Sequence, residues 1–443
     1  MSLTSSPNPF SAPGESTLVR AIGVRQLTAA IVNTTVGAGI FVLPALVAQG
    51  LGAAAPLAFL VCAAIMALLS ISLAVAGSRV TITGGIYAYV EAAFGPYVAL
   101  LAGVLQWLTF VLAVAGVSSA LVDQLGALAP VFRATAVRIA VLTVILGVLA
   151  HLNTRGVRMG TRLIEAATVT KLTPLLVFVV VGVFFVDPSA MAWPGFPDSD
   201  SLGRSVLLLL FAYAGVEVAL APSGEVRNPG QTVPRAIFLA LGITTTLYIA
   251  IQLVAQGVSG PLLAQETAAP LAEAASRFLG AAGMTLMLAG AVCSMFGYLC
   301  GDMLSSPRHL YALARDGFAP AMFASIHPEH RTPSVAIWTH AALVLVLAGS
   351  QTFQVMAVMA NVALLLLYLM ACGAAVQLTR RNVREAGTPF DAPGGWTAPA
   401  MTAALMIWVL STATAREFAV TAVVLAIATL AYLVRKRAQS QRG

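Results

Sequence analysis

The chain has 443 residues, 59% of them hydrophobic and 9% charged, with a formal net charge of +7 and a mean hydropathy of +0.90. Soluble domains average about 25% charged residues, so a soluble globular protein is excluded. Nucleic acid is not the partner that the positive charge implies, because the basic residues sit at the ends of apolar runs and form no patch. Strand-period alternation is absent, which argues against a membrane barrel.

From the N-terminus, residues 1–24 are polar and Pro/Ser-rich, without the apolar core of a signal peptide, and are expected as a disordered cytoplasmic tail. Twelve spans are then predicted, at 26–52, 55–77, 96–125, 134–152, 164–186, 204–224, 234–257, 278–303, 333–349, 353–377, 397–414 and 417–434. Residues 25–434 form one transmembrane domain, and 435–443 a basic cytoplasmic tail. With the N-terminus cytoplasmic, eighteen arginines and lysines fall on the inner side and five on the outer side, while Lys171 lies within a span. Basic residues concentrate on the cytoplasmic side of membrane proteins, and an odd number of spans would scramble this sorting. The four cysteines, Cys62, Cys293, Cys300 and Cys372, all lie in apolar runs and are expected to pack rather than to form disulfides or a metal site.

Span 1 is interrupted by Gly37-Ala38-Gly39 and Pro44. Glycine costs about 1 kcal/mol per helical position relative to alanine, and Pro44 removes a backbone donor. A broken helix is tolerated in lipid only where it is buried in protein or lines a cavity. Freed amides at the start of a half-helix suit an anion such as a carboxylate, and freed carbonyls near Thr34 and Thr35 suit a cation. A small-residue packing surface is the alternative explanation. Span 6 is weakened at Ala212-Tyr213-Ala214-Gly215, where carbonyls would face an ammonium group and Phe211 and Tyr213 could cover it. Glu217 is expected to hold the broken backbone in shape, ahead of direct substrate contact. The two breaks fall at matching places if spans 1–5 and 6–10 are inverted copies, the pattern of an inverted-repeat secondary transporter. Repeat one covers about 25–187, repeat two about 203–379, and the last two spans, about 397–434, lie outside the repeat.

Lys171 is the sharpest single signal. The chain has 22 arginines and two lysines, yet the one cation deep in a span is lysine. A desolvated lysine can release its proton, whereas arginine effectively cannot. Lys171 can therefore act as a proton carrier, or as a tethered ammonium where another carrier binds a metal cation; snorkelling to the interface is the alternative. Asp123, Asp302 and His151 sit near span ends and are expected to be solvated or capping. His309, His327 and His330 are expected in an inner loop. No phosphate-binding loop, nucleophile elbow or zinc pattern is present, so no enzyme, metal or cofactor is expected.

The chain resembles the amino acid–polyamine–organocation superfamily of amino acid permeases from about Arg25 to Ala431. The likeness rests on GAGIF (Gly37–Phe41) with Pro44, TITGGIYAYVEAAFGP (Thr81–Pro96), TVTKLTPL (Thr168–Leu175), FAYAGVEVALAPSGEVRNPGQTVPRAI (Phe211–Ile237) and SSPRHLYALARDGFAP (Ser305–Pro320). It implies an all-α integral membrane protein with twelve transmembrane helices in the five-plus-five inverted-repeat fold, helices 1 and 6 being discontinuous around the substrate. It further implies that the backbone of Thr35, Ala38 and Gly39, beside Gly37, binds amine and carboxylate. The carbonyls of Phe211, Ala212 and Ala214 take the amine, with Phe211 as a gate. Lys171 matches a lysine that serves proton coupling or exchange in members working without sodium. Ala38 departs from the serine of many members and removes one hydroxyl from the site.

The resulting expectation is sodium-independent amino acid transport across the cytoplasmic membrane by alternating access, as H⁺ symport or exchange. It leans toward neutral amino acids, because no acidic residue is clearly placed to meet a cationic side chain. The expected partners are an amino acid, protons and the lipid bilayer. A disulfide-linked accessory subunit is not expected, because the segment Gly126–Arg133 carries no cysteine. The alternatives are a sodium-coupled symporter, a polyamine or cationic amino acid carrier, and, more remotely, a non-transporting sensor or subunit.

Overall fold

The computed structural model describes residues 22–440 apart from 81–84, 157–160, 194, 216–225, 228, 267, 385–388 and 391–393. The expected N-terminal tail and Glu217 lie outside the described residues. Helices occupy nearly all of the rest, and the described residues contain no strand, only an isolated bridge between Ile22 and Val226. In order they are α1 (Val24–Thr35), α2 (Gly39–Leu51), α3 (Ala55–Gly77), α4 (Ile86–Phe94), α5 (Pro96–Leu128), α6 (Thr135–Thr154) and α7 (Thr161–Gly182). There follow α8 (Ser199–Tyr213), α9 (Pro229–Ser259), α10 (Pro270–Arg315), α11 (Ser334–Ser350), α12 (Phe353–Arg380), α13 (Thr397–Ser411) and α14 (Ala415–Ser440). Among the described residues, seven helical stretches are long and apolar enough to cross a membrane, and three shorter apolar helices accompany them.

The helix ends follow local chemistry. Asp198 caps α8 by accepting from the amide of Ser201 at 2.8 Å and from its hydroxyl at 2.7 Å. The same two bonds hold the Asp198 carboxyl below the usual carboxylate range. Gly52 (φ 54°) turns the chain between α2 and α3, in a conformation that a side chain would strain.

The core is formed by α5, which packs against α10 and α12, with α1 and α3 against α9 and α2 against α8. Segments that charge assigns to one side of the membrane lie together. The hydroxyl of Thr332 donates to the Thr154 carbonyl at 2.6 Å, and Arg79 reaches the Val383 carbonyl. Arg435 donates to the carbonyl of Asp316, with its guanidinium 4.9 Å from the ring of Phe318. At the other end, Arg204 of α8 grips Glu417 of α14 through two hydrogen bonds of 2.5 and 2.7 Å. All four cysteines are free thiols.

Three expectations need correction. The helix of the eighth span does not stop near residue 303, because α10 continues to Arg315. Buried Met303, Ser306, Pro307, Leu310, Leu313 and Ala314 give the extension one continuous buried face. His309 therefore lies in a helix and not in a loop. Asp302 is not a solvated end residue but is 7% exposed, in the interior of the part of α10 that follows a kink at Gly280 (φ 60°). Asp123 is paired with Arg138 of α6.

Helices α7 and α10 run antiparallel. A Cβ on Gly182 would lie 3.1 Å from Phe278, and one on Gly290 would lie 2.7 Å from Pro174. Gly290→Val should thus force the two helices apart at a cost of about 1–3 kcal/mol. A lower melting temperature of the purified protein, without loss of helix by circular dichroism, is the expected result.

Candidate functional site

The first membrane stretch is two helices. α1 ends at Thr35, residues 36–38 leave the helical ladder, and α2 starts at Gly39. Glycine at 37 and 39 and proline at 44 make this break cheap, and Val36 closes α1 by donating to the Val32 carbonyl at 2.9 Å. The last carbonyls of a helix and the first amides of the next have no partners within their own helices, and in a bilayer they must find others.

The carbonyls find theirs in side chains. Lys171 of α7 donates through Nζ to the carbonyl of Asn33, placing a cation at the C-terminal end of α1, where the helix dipole favours positive charge. Tyr248 of α9, fully buried, sets its single hydroxyl 2.9 Å from the Thr35 carbonyl and 3.0 Å from the Ala212 carbonyl. One proton is thereby shared between the end of α1 and the end of α8.

α8 stops at Tyr213, and Ala214 and Gly215 form a turn, with Gly215 at φ 108°. This end abuts the break in the first stretch. A Cβ on Gly39 would sit 3.2 Å from the Cα and Cβ of Ala212, and one on Gly215 would sit 3.0 Å from the Thr34 side chain. Asn361 of α12 donates to the Leu207 carbonyl at 2.6 Å, nearly two turns before the stop. The structure thus brings together Thr35, Gly37, Ala38 and Gly39 with Ala212, Ala214 and, by one hydrogen bond to Asn33, Lys171.

Phe211 is half-buried and meets Phe353 of α12 edge to face, with centroids 5.2 Å apart. Beside this pair lies a cavity of about 550 Å³, lined by residues that include Leu46, Gln49, Arg204, Leu208 and Gln354. Tyr213 is placed differently from a cover. It is fully buried, and its hydroxyl donates toward the Phe59 carbonyl (3.3 Å) and the Thr245 hydroxyl (3.2 Å). A ring engaged in this way is not free to swing.

Three residues that sequence reasoning did not single out take part. Tyr248 satisfies carbonyls at the breaks, and Asn361 ties the body of α8 to α12. Ser294 of α10 has a buried hydroxyl without a hydrogen-bond partner among the described residues, and the antiparallel register through Gly290 and Pro174 sets it level with Lys171. A signal for Tyr248 exists in the polar stripe Thr244, Tyr248, Gln252 and Gln256, spaced by four within an apolar helix.

Comparison with known proteins decides the family. The amino acid permease family model matches residues 22–434. The chain belongs to the amino acid permease family. This permease is 26% identical to the methylthioribose transporter of Bacillus subtilis, over 96% of the chain and 95% of that protein. It is 25% identical to the branched-chain amino acid permease BcaP of the same organism, over 86% and 85%. It is also similar to the serine/threonine exchanger SteT of Bacillus subtilis, 28% identical over 74% and 76%. The chain is a transporter and not an enzyme, and its apolar helices make it a multi-pass membrane protein.

Tyr248→Phe removes the proton shared by the two break carbonyls. It should destabilise the protein by about 0.5–1.5 kcal/mol, read as a lower melting temperature, and should weaken substrate binding more than the neighbouring Phe59→Leu.

Proposed function

We propose that this permease carries an amino acid across the cytoplasmic membrane by alternating access, without sodium, with its substrate held between the two breaks. The observation that carries this reading is the hydrogen bond from Lys171 to the carbonyl of Asn33, which puts a tethered ammonium at the end of α1. A metal cation bound nearby would meet that positive charge at close range and be repelled. Lysine at this place supplies the cation permanently or, by releasing its proton, couples transport to the proton gradient. The bond also disfavours the alternative in which Lys171 snorkels to the interface.

In this reading the substrate carboxylate rests on the amides of Gly37, Ala38 and Gly39 at the start of α2. Its ammonium group meets the carbonyls of Phe211, Ala212 and Ala214, with Ala212 offering the lone pair that Tyr248 leaves unused. Phe211, braced on Phe353 beside the cavity, is the gate, while Tyr213 stiffens the backbone beneath it. Ala38 contributes an amide but no hydroxyl, so the carboxylate is held by backbone alone.

The chain is read as twelve crossings with both termini cytoplasmic, the first ten forming two inverted copies. The shorter helices α7, α11 and α13, the two-helix first stretch and α8 complete the count. Neutral amino acids are favoured as substrates, and the printed names of two relatives, a branched-chain permease and a serine/threonine exchanger, agree with that class. The methylthioribose transporter is a reminder that the scaffold also carries a neutral solute that is not an amino acid.

A thermal-shift screen of the twenty amino acids, with methylthioribose and common polyamines alongside, should find stabilising ligands among the neutral amino acids. Uptake of that ligand into proteoliposomes should be unchanged when choline replaces sodium; its abolition would establish the sodium-coupled alternative. Lys171→Ala should abolish accumulation against a gradient while leaving binding measurable. For proton symport, wild-type uptake should rise as external pH falls and the variant should lose that dependence; a variant with unchanged pH dependence would defeat the proton-carrier role.

A further inference from the structure

Beyond Lys171, the membrane interior holds a second set of ionisable groups. Asp302 and His309 lie on α10 at helical spacing with Ser306 between them, and His340 lies on α11. Nε2 of His340 is 3.6 Å from Oδ2 of Asp302, and the two side chains are 0% and 6% exposed. Among the described residues, neither ring nitrogen of His340, nor Oδ2 of Asp302, nor the hydroxyl of Ser306 has a hydrogen-bond partner. The His309 ring, half-buried, packs 5.1 Å from Phe110 of α5 and lies within Coulombic reach of both Asp302 and His340.

Among the described side chains, the surrounding helices offer this pair no other compensation. α11 has no titratable residue besides His340, and α2 and the short 321–324 turn have none. On α5 the titratable side chains are Tyr97, bonded to Thr429, and Asp123, bound to Arg138 of α6. His151 of α6 is exposed, as is Arg308 on α10 itself. Lys171 of α7 is engaged with Asn33, and Tyr248 of α9 with the two break carbonyls. Arg235 of α9 and Cys293, Tyr298, Cys300 and Tyr311 of α10 complete the set on the described side chains of the packed elements, together with Glu273, Arg277 and Arg315 nearer the ends of α10.

We propose that Asp302 and His340 form a proton-binding site, a buried acid–base pair that holds one proton between α10 and α11. Its chemistry follows from burial. With no proton the pair carries one negative charge, and with two protons one positive charge, and either is costly in a low-dielectric interior. With one proton it is neutral overall, whether the proton sits on the carboxyl or on the imidazole, and the titration belongs to the pair. His340 is six residues into α11, about 9 Å from its start at the inner end. Parting of α10 from α11 at that end would wet the pair and let it release or take up its proton. α10 also packs against α7 through Gly290 and Pro174, so such a movement is felt by the helix bearing Lys171. The site is therefore separate from Lys171 but on a helix that touches the same machinery.

The test uses full-length protein in lipid nanodiscs, with nitrogen-15 labelled histidine, titrated between about pH 5 and 9. With five histidines in the chain, His340→Gln assigns the resonance. Asp302→Asn should move the His340 titration step by at least one pH unit, a tenfold change in its proton affinity. A His340 step that Asp302→Asn leaves in place would overturn the proposal. This readout needs no transport, so its failure is distinct from failure of the amino acid carrier reading. In proteoliposomes, the double variant Asp302→Asn/His340→Gln, which keeps shape and removes both ionisable groups, should flatten one limb of the pH profile of uptake. A double variant with wild-type melting temperature and an unchanged profile would also overturn it. Should the double variant fold poorly, the single Asp302→Asn titration decides alone.

Discussion

A bilayer interior offers no water to a broken backbone, and that constraint organises this molecule. Once glycine and proline end α1 at Thr35, the carbonyls of Asn33 and Thr35 must be satisfied by the protein itself. Lys171 serves the first and Tyr248 the second, and Tyr248 also reaches the end of α8. Three helices distant in sequence are thus tied to one break by two side chains. The close seating of Gly39 on Ala212 and of Gly215 on Thr34 makes the two breaks a single place. A larger residue at either glycine would hold them apart. The amides at the start of α2 and the carbonyls at the end of α8 thus face one place, the arrangement on which the proposed binding of a zwitterion rests.

Much of this was legible in the sequence, for identifiable reasons. A Gly-Ala-Gly run followed by proline is expensive in an unbroken helix, so the break at residues 36–38 could be placed within a residue or two. Lysine among arginines stood out because its chemistry differs and not merely because it is charged. The long apolar stretches gave most helix positions, since length and hydropathy leave few alternatives.

What the sequence hid were residues whose partners are backbone atoms. An asparagine in an apolar helix looks like packing until the carbonyl it meets is known, so Asn361 carried no signal of its own, and Tyr248 showed only as one member of the polar stripe on α9. Asp302 and His309 read as water-facing because charge near the end of an apolar run ordinarily marks the water boundary. The continuing buried face from Met303 to Ala314 shows that the helix goes on. His340 escaped notice for a related reason: counted as neutral, it vanished into a stretch that reads as free of charge.

The central claim is that the paired breaks are the binding site. A structure of the protein bound to an amino acid that stabilises it would test this most directly. The account predicts the carboxylate on the amides of Gly37 to Gly39 and the ammonium on the carbonyls of Phe211 to Ala214, with Lys171 still on Asn33. A ligand bound elsewhere, or a first stretch that closes into one continuous helix, would contradict it.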